Sequence, residues 1–236
     1  MVKNNRQRFL AQPFVQQALA LWANDTFKAL SLTGLLCLLF WFSLPRPLFD
    51  DPTCMVLEDR EGDLLGARIA ADGQWRFPAR DSVPEKFAKA IVAFEDQRFN
   101  YHPGVDPIAI GRALIQNISN GRVVSGGSTL TMQVIRLSRQ DKPRNLYQKL
   151  VEAMLALRLE VTHSKRDVLA LYTSYAPFGG NVVGLDAASW RYFGKQPRLL
   201  SWAEAAMLAV LPNSPALIHP GRNRKDLLNK RNRLLD

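Results

Sequence analysis

Glu95 stands where a carboxyl group could exchange a proton with a substrate. The residues before it recur at intervals of three and four, which predicts a helix with one apolar face: Phe87, Ala90, Ile91 and Phe94. Glu95 follows Ile91 by four positions, so it lies at the edge of that face. A carboxyl group that is partly removed from water has a raised pKa, as a general acid or base requires. A helix end with solvated charges fits the same spacing.

The string EDQRFNYHPGVD, which begins at Glu95, holds three more candidate residues for binding a substrate. These candidate residues are Asp96, Phe99 and His102. As an isolated pattern, the same string also fits a Pro-Gly turn after a helix.

A second string, GGSTLTMQ, predicts the start of another helix. The glycine pair before Ser128 permits a tight turn, and Ser128 or Thr129 can cap the helix. Gln133 and Arg136 share a face with Thr129. Backbone N–H groups at a capped helix start, with hydroxyls and an arginine beside them, suit an anionic oxygen. The string lacks the Gly-Lys-Ser/Thr ending of a Walker loop, and alone it also fits an ordinary capped helix.

A third string, RNLYQKLVEAMLALRLE, predicts a long helix with a charged face. Its expected core stripe consists of Leu146, Leu150, Ala153, Met154, Leu157 and Val161. Lys149 and Glu152 lie on a different face, where they fit an i,i+3 surface pair. In the alternative interpretation Arg144 and Lys149 hold a diphosphate, and Glu152 orients them or a bound cation.

Composition limits the kind of protein. The 236 residues carry a net charge of +10 and are 47% hydrophobic, which supports a folded core and an anionic partner. Nucleic acid, anionic lipid and a diphosphate would each suit this charge, but no nucleic-acid-binding module is recognisable. Cys37 and Cys54 are too few for a disulfide framework. The three histidines do not form metal-ligand spacing with them, so no metal site made of side chains alone is predicted.

An uncharged run at 29–44 predicts a membrane anchor. The run is shorter than the roughly 20 residues that a spanning helix needs, and flanking apolar residues extend it to 29–48. Lysine and arginine before it place residues 1–28 in the cytoplasm and the rest outside. A cleaved signal peptide and a buried core helix are the alternatives. Residues 9–22 have apolar side chains near helical spacing, which fits a helix on the inner membrane face or a frayed tail.

After the anchor, residues 49–82 read as a Pro-rich linker and a small β-hairpin around Arg60 to Asp63. From 83 to 236 the pattern is helical, so the fold class is mainly α. The predicted helices are Pro84 to Asp96, Asp106 to Ser119, Ser128 to Leu137, Arg144 to Val161, Ser164 to Tyr175, Val182 to Phe193, Ser201 to Leu211 and Arg224 to Leu235.

Together and in this order, the three strings resemble the first three motifs of the peptidoglycan glycosyltransferase family (family 51 glycosyltransferases). SKRDVLALYTSYAPFGGNVVGLDAASWRYFGK resembles the fourth region of that family and KRNRLL the last. The resemblance runs from about residue 83 to the end. It implies a lysozyme-like α fold with a small, mobile, membrane-facing jaw, in an enzyme of the bacterial cytoplasmic membrane whose catalytic domain is extracytoplasmic.

The resemblance also implies the reaction and the roles of the residues. Lipid II would be polymerised into glycan strands with release of undecaprenyl diphosphate. Glu95 would be the catalytic base and Glu152 the second catalytic carboxylate. Substrate binding would fall to Asp96, Phe99, His102, Ser128, Thr129, Gln133, Arg136, Arg144 and Lys149. A Mg²⁺ ion bridging diphosphate and carboxylate is implied by the resemblance only.

The sequence departs from the family at three positions. Ala170 and Ser174 replace the usual Glu and Asn, and Gln148 replaces an Arg beside Lys149. Class A penicillin-binding proteins carry a transpeptidase domain after this one, but no penicillin-binding motifs follow here. A truncated chain, a gene remnant or a one-domain enzyme is therefore expected, with a separate transpeptidase as a candidate partner. A weak or inactive membrane-anchored scaffold is the alternative function, and a glycan hydrolase is a third.

Overall fold

The computed structural model describes residues 24–122, 126–140, 142–143, 145–212 and 223–236. These form two compact units, which meet in the chain between Pro45 and Arg46. The first unit contains helix α1 (Asp25–Trp41), which the side chain of Asn24 caps by accepting the N–H of Thr26. The prediction of a helix that continues to residue 48 is wrong, because Pro45 and Pro47 follow and cannot extend it. No helix within the described ranges has both the length and the apolarity needed to cross a membrane. The predicted helix at 9–22 lies outside these ranges.

The second unit begins with the predicted β-hairpin. Strands β1 (Met55–Glu58) and β2 (Leu64–Arg68) pair antiparallel, with an irregularity in the register after Leu57. A second small sheet was not predicted. In it, β3 (Trp75–Arg76) pairs in parallel with β4 (Val182–Val183), where a helix start was expected.

The rest of the unit is helical, as predicted. Each predicted helix overlaps one observed helix, with ends that differ by at most three residues. Most of the observed helices follow a residue whose side chain caps the first turn, such as Thr129, Ser164 and Ser201. The helices are α2 (Glu85–Glu95), α3 (Pro107–Ser119), α4 (Leu130–Ser138), α5 (Leu146–Thr162), α6 (Lys165–Tyr175), α7 (Leu185–Phe193), α8 (Trp202–Val210) and α9 (Arg224–Leu235), with 3₁₀ turns at Phe99–Tyr101 and Pro197–Leu199.

Helix α4 lies at the centre of the core. Leu130, Val134 and Ile135 are fully buried, and α4 packs against both α5 and α6. Helix α2 packs mainly on α8, with Phe87 and Ile91 fully buried as predicted.

The predicted core face of α5 is wrong. Leu146, Leu150 and Val161 are each more than half exposed, and the buried face carries Leu155 and Leu159 instead. The helix has two apolar faces at helical spacing, and its contact with α4 selects the one that is buried. Helix α3 also presents apolar residues outward, since four of its side chains are more than half exposed: Ile108, Leu114, Ile115 and Ile118.

Gly104 lets the turn after α2 approach α5. Its φ is +97°, and a Cβ there would lie 2.6 Å from the carbonyl oxygen of Ala156. A side chain would therefore suffer both backbone strain and a collision with the backbone.

We expect Gly104→Ala to lower the free energy of unfolding by about 3 kcal/mol, measured by chemical denaturation in detergent. Gly73→Ala is the matched control, because Gly73 has a φ of +74° but no heavy atom within 4 Å of the added Cβ. The control should lose only about 1 kcal/mol, the cost of left-handed backbone. Equal losses in the two variants would show that the approach to Ala156 does not matter.

Candidate active site

Glu95 borders the largest cavity around the predicted site residues. It is the last residue of α2, and the side-chain amide of Gln133, on α4, donates a hydrogen bond to its Oε2 at 2.8 Å. The cavity has a volume of about 570 Å³, and Arg112, Arg136 and Tyr172 also line it. A smaller cavity of about 170 Å³ shares Glu95, Arg112 and Ser128. A half-buried carboxylate held by a neutral donor beside arginines is suited to accept a proton.

Asp96 fixes the position of Glu95. Its two carboxylate oxygens lie 3.1 Å from Nε2 of His102, and its Oδ2 accepts the backbone N–H of Leu130 at 3.0 Å. Nδ1 of His102 accepts the N–H of Gly104, so Nε2 carries the proton that is donated to Asp96. The end of α2, the following turn and the start of α4 are thereby joined beside Glu95.

Two further residues of the predicted site also face the interior. Phe99 is fully buried, with the ammonium group of Lys165 4.4 Å from its ring centroid. The hydroxyl of Thr129 donates to the carbonyl of Gly104 at 2.6 Å and accepts the N–H of Met132. In this structure Asp96, Phe99, His102 and Thr129 hold the site together and present little surface to a substrate.

Glu152 is bound by Arg136 and not by Lys149. Nε and Nη2 of Arg136 lie 2.9–3.2 Å from the Glu152 carboxylate, and Nη2 lies 3.4 Å from the hydroxyl of Ser128. The i,i+3 pair of Lys149 with Glu152 is therefore not formed. Lys149 is half-buried and has no ion pair with any residue that the structure describes. Arg144 lies outside the described residues.

Comparisons with known proteins identify the family of the chain. The family model described as Transglycosylase matches residues 63–236. The chain belongs to the transglycosylase family. The match begins before residue 83 and so includes β2 and most of residues 49–82, which sequence patterns assigned to a linker and a small β element.

Several curated relatives are penicillin-binding proteins. Penicillin-binding protein 1C of Escherichia coli is 43% identical over 193 residues, which are 81% of this chain and 25% of that protein. Penicillin-binding protein 1A of Aquifex aeolicus is 38% identical over 184 residues, 78% of this chain and 25% of that protein. A crystal structure of penicillin-binding protein 1A from Haemophilus influenzae matches 79% of this chain and 18% of that chain, with a TM-score of 0.40 and 20% identity, a likeness too distant to inform the fold. The transglycosylase chain spans about a quarter of the length of these curated relatives.

Two residues of the transglycosylase cavity were missed by sequence patterns. Arg112 is exposed on α3 and forms no ion pair with any described residue, and Tyr172 is fully buried on α6. A lone arginine in an apolar helix and a tyrosine in a core stripe carry no chemical signal of their own. Only the packing of α3 and α6 brings them to Glu95.

The side chains around the transglycosylase cavity do not fit a magnesium ion. Across the described part of the chain, no three His, Cys, Asp or Glu residues lie close enough together to hold a metal. Glu152, the carboxylate that would share the ion with a diphosphate, is bound by the Arg136 guanidinium, whose charge opposes a divalent cation.

Ala170 and Ser174, which depart from the family pattern, lie away from Glu95. They border a separate cavity of about 250 Å³ with Arg80. Arg80 is itself paired with Glu58 at 2.6 Å and Asp186 at 2.9 Å. The two substitutions therefore alter a structural region and leave the Glu95 cavity intact.

We expect Asp96→Ala to lower the free energy of unfolding by about 2–4 kcal/mol, because it leaves two buried N–H donors, of His102 and Leu130, without an acceptor. Asp81→Ala is the control. Asp81 is exposed, so its loss should change stability by less than about 0.5 kcal/mol. Denaturation curves of both variants measure these changes. A loss of less than about 1 kcal/mol in the free energy of unfolding of Asp96→Ala would contradict the role of Asp96 in joining α2, the following turn and α4.

Proposed function

We propose that this chain is a peptidoglycan glycosyltransferase that polymerises lipid II and releases undecaprenyl diphosphate. The observation that carries the proposal is the Glu95 carboxylate, held by Gln133 at the edge of a cavity that arginines also line. Membership of the transglycosylase family and the similarity to penicillin-binding proteins support it. The helical fold is consistent with the lysozyme-like class that the family resemblance implies.

In the proposed mechanism Glu95 removes the proton from the 4-hydroxyl of the acceptor sugar. That oxygen attacks the anomeric carbon of the donor, the bond to the diphosphate breaks, and the configuration inverts. Gln133 keeps the carboxylate turned toward the cavity by its hydrogen bond. The negative charge that grows on the departing diphosphate is stabilised by nearby cations. Arg112, which lines the cavity, and Lys149, one turn before Glu152 on α5, are the strongest candidates, because neither has an ion pair with a described residue.

Arg136 acts differently from these two cations. Its charge is largely offset by Glu152, so the pair gives the cavity wall a fixed shape with little net charge. We assign Glu152 the role of holding Arg136 against Ser128 in the lining of the cavity. This role is more limited than the proton transfer expected of a second catalytic carboxylate, because both oxygens of Glu152 accept hydrogen bonds from Arg136.

We also propose that the domain works at the extracytoplasmic face of the cytoplasmic membrane. Its substrate carries a long lipid, and the outward apolar faces of α3 and α5 offer residues to insert among lipid headgroups, such as Ile115, Ile118 and Leu150. The N-terminal segment adds an attachment, since Leu30, Leu35 and Leu39 of α1 are each more than half exposed. A transpeptidase partner is in keeping with the penicillin-binding names of the relatives.

A non-catalytic scaffold is less well supported. Such a protein has no need for a carboxylate held by an amide, or for the Asp96–His102 support behind it. These features restrict side-chain conformations and place charges in partly buried positions, and both effects cost free energy. A catalytic role explains such a cost, whereas a scaffold that only binds other proteins does not.

Glu95→Gln should reduce lipid II polymerisation at least 10²-fold while leaving the fold unchanged, because the amide is nearly isosteric but cannot accept the proton. Lipid II consumption in detergent, with circular dichroism of both proteins, measures this. Glu85→Gln is the matched control at the other end of α2, where the carboxylate is exposed and pairs with Lys89. Retention of more than about a tenth of the wild-type rate by Glu95→Gln would refute the proposed role.

Lys149→Ala should lower the turnover rate roughly 10²-fold with a smaller effect on substrate affinity, because the charge it meets grows in the transition state. Lys225→Ala, on the exposed start of α9, is the control and should retain wild-type turnover. Gln148→Arg should raise turnover, since it adds a cation beside Lys149. Near-normal turnover in Lys149→Ala would remove this residue from the mechanism.

A further inference from the structure

Tyr172 is a buried phenol whose hydroxyl has no hydrogen-bond partner among the described residues. The residue is 1% exposed, on the face of α6 that packs toward α4. A buried hydroxyl without a partner costs free energy, and phenylalanine would fill the same space without that cost. The hydroxyl therefore calls for an explanation other than packing.

The surroundings of Tyr172 explain why its hydroxyl is present. Its side chain borders the same cavity as Glu95, Gln133 and Arg136. Burial raises the pKa of Tyr172 well above its ordinary value, and the negative charge of Glu95 raises it further. The phenol thus stays protonated at every pH at which the protein works, so it is a permanent donor next to a carboxylate.

We propose that Tyr172 is a positioning residue for Glu95, donating its hydroxyl hydrogen to a water in the shared cavity that in turn donates to the carboxylate. Gln133 holds one carboxylate oxygen from α4, and Tyr172 would restrain the group from α6. This inference deepens the proposed function and rests on it for its catalytic meaning. Two donors from different helices would limit the carboxylate to the orientation that faces the acceptor hydroxyl.

The other charged groups around Glu95 set the background for this interaction. Arg112 of α3 and Arg136 of α4 share its cavity, and Asp96 follows it in the chain. On α8, which packs against α2, the titratable residue is Glu204, which Lys195 and Ser201 hold. The charged residues of α9 are exposed or half-exposed.

The direction in which the pKa of Glu95 should change follows from hydrogen bonding to its ionised carboxylate. A hydrogen bond donated to a carboxylate favours its ionised state and lowers its pKa. Removal of the Tyr172 hydroxyl should therefore raise the pKa of Glu95. The acid limb of the pH–rate profile should move to higher pH, because Glu95 must be unprotonated to act as a base.

The test is a titration of glutamate side-chain carboxyl carbons by ¹³C NMR, on the full chain in detergent, with Glu95 assigned from Glu95→Gln. Tyr172→Phe should raise the Glu95 midpoint by about 0.5 pH unit or more. Tyr192→Phe is the control, because the hydroxyl of Tyr192 donates to the carbonyl of Phe178 and Tyr192 does not line the cavity. It should leave the midpoint unchanged. A shift below about 0.2 pH unit in Tyr172→Phe would overturn the proposal.

This readout needs no activity, so it separates the two proposals. If the wild type does not consume lipid II, the proposed function fails while the titration still decides the role of Tyr172. If it does, Tyr172→Phe should lose roughly 10-fold in turnover with little change in KM, and its acid limb should move with the NMR midpoint. A purely structural hydroxyl predicts neither change.

A second variant covers the case in which Tyr172→Phe does not fold. Replacement of Tyr172 by 3-fluorotyrosine makes the phenol a stronger donor and hardly changes its size. The Glu95 midpoint should then fall below the wild-type value. An unchanged midpoint in the fluorinated protein would also overturn the proposal.

Discussion

Asp96 accepts hydrogen bonds from two separate elements, and the place of the proposed base depends on both. His102 approaches from the turn after α2, and the N–H of Leu130 approaches from the first turn of α4. A carboxylate at a helix N-terminus is favoured by the helix dipole, so the contact with Leu130 is more than one hydrogen bond. Since Glu95 is the neighbour of Asp96 in the chain, the same contact that joins the helices sets the distance from Glu95 to Gln133 on α4. Gly104 then allows the turn to lie against α5.

One face of helix α5 packs against α4 beside the Glu95 cavity, and the opposite face is exposed on the surface of the protein. Toward α4 it buries Leu155 and Leu159 together with Glu152, whose charge Arg136 compensates. A buried carboxylate without such a partner would be costly, so the ion pair is the condition for placing α5 here. Away from α4, its Leu146 and Leu150 remain exposed. An apolar surface of this kind is disfavoured in water and favourable at a lipid interface. One helix thus links the cavity wall to the surface that we propose for membrane contact.

Local signals explain what could be predicted from the sequence. Capping residues such as Ser164 and Ser201 and the apolar period of α2 are encoded within a few neighbouring residues, so the helices and the edge position of Glu95 were predictable. Contacts between distant segments were not. The parallel pairing of β3 with β4, the buried face of α5 and the partner of Glu152 each depend on residues far away in the chain. A periodic pattern reports that a helix has an apolar face, but the packing partner decides which of two such faces is covered.

The distribution of charge around the cavity follows from what a base and a leaving group need. Cations close to Glu95 keep it ionised, but too many would weaken its affinity for a proton. Pairing Arg136 with Glu152 places a guanidinium at the cavity wall with little net charge. Lys149 lies one turn before Glu152 on α5 and has no ion pair within the described chain, so its charge is available to an incoming anion. Unpaired charge in a half-buried position is costly in the free protein, and a bound diphosphate would relieve that cost. The charges around the cavity therefore favour the transition state, in which negative charge has accumulated on the departing diphosphate.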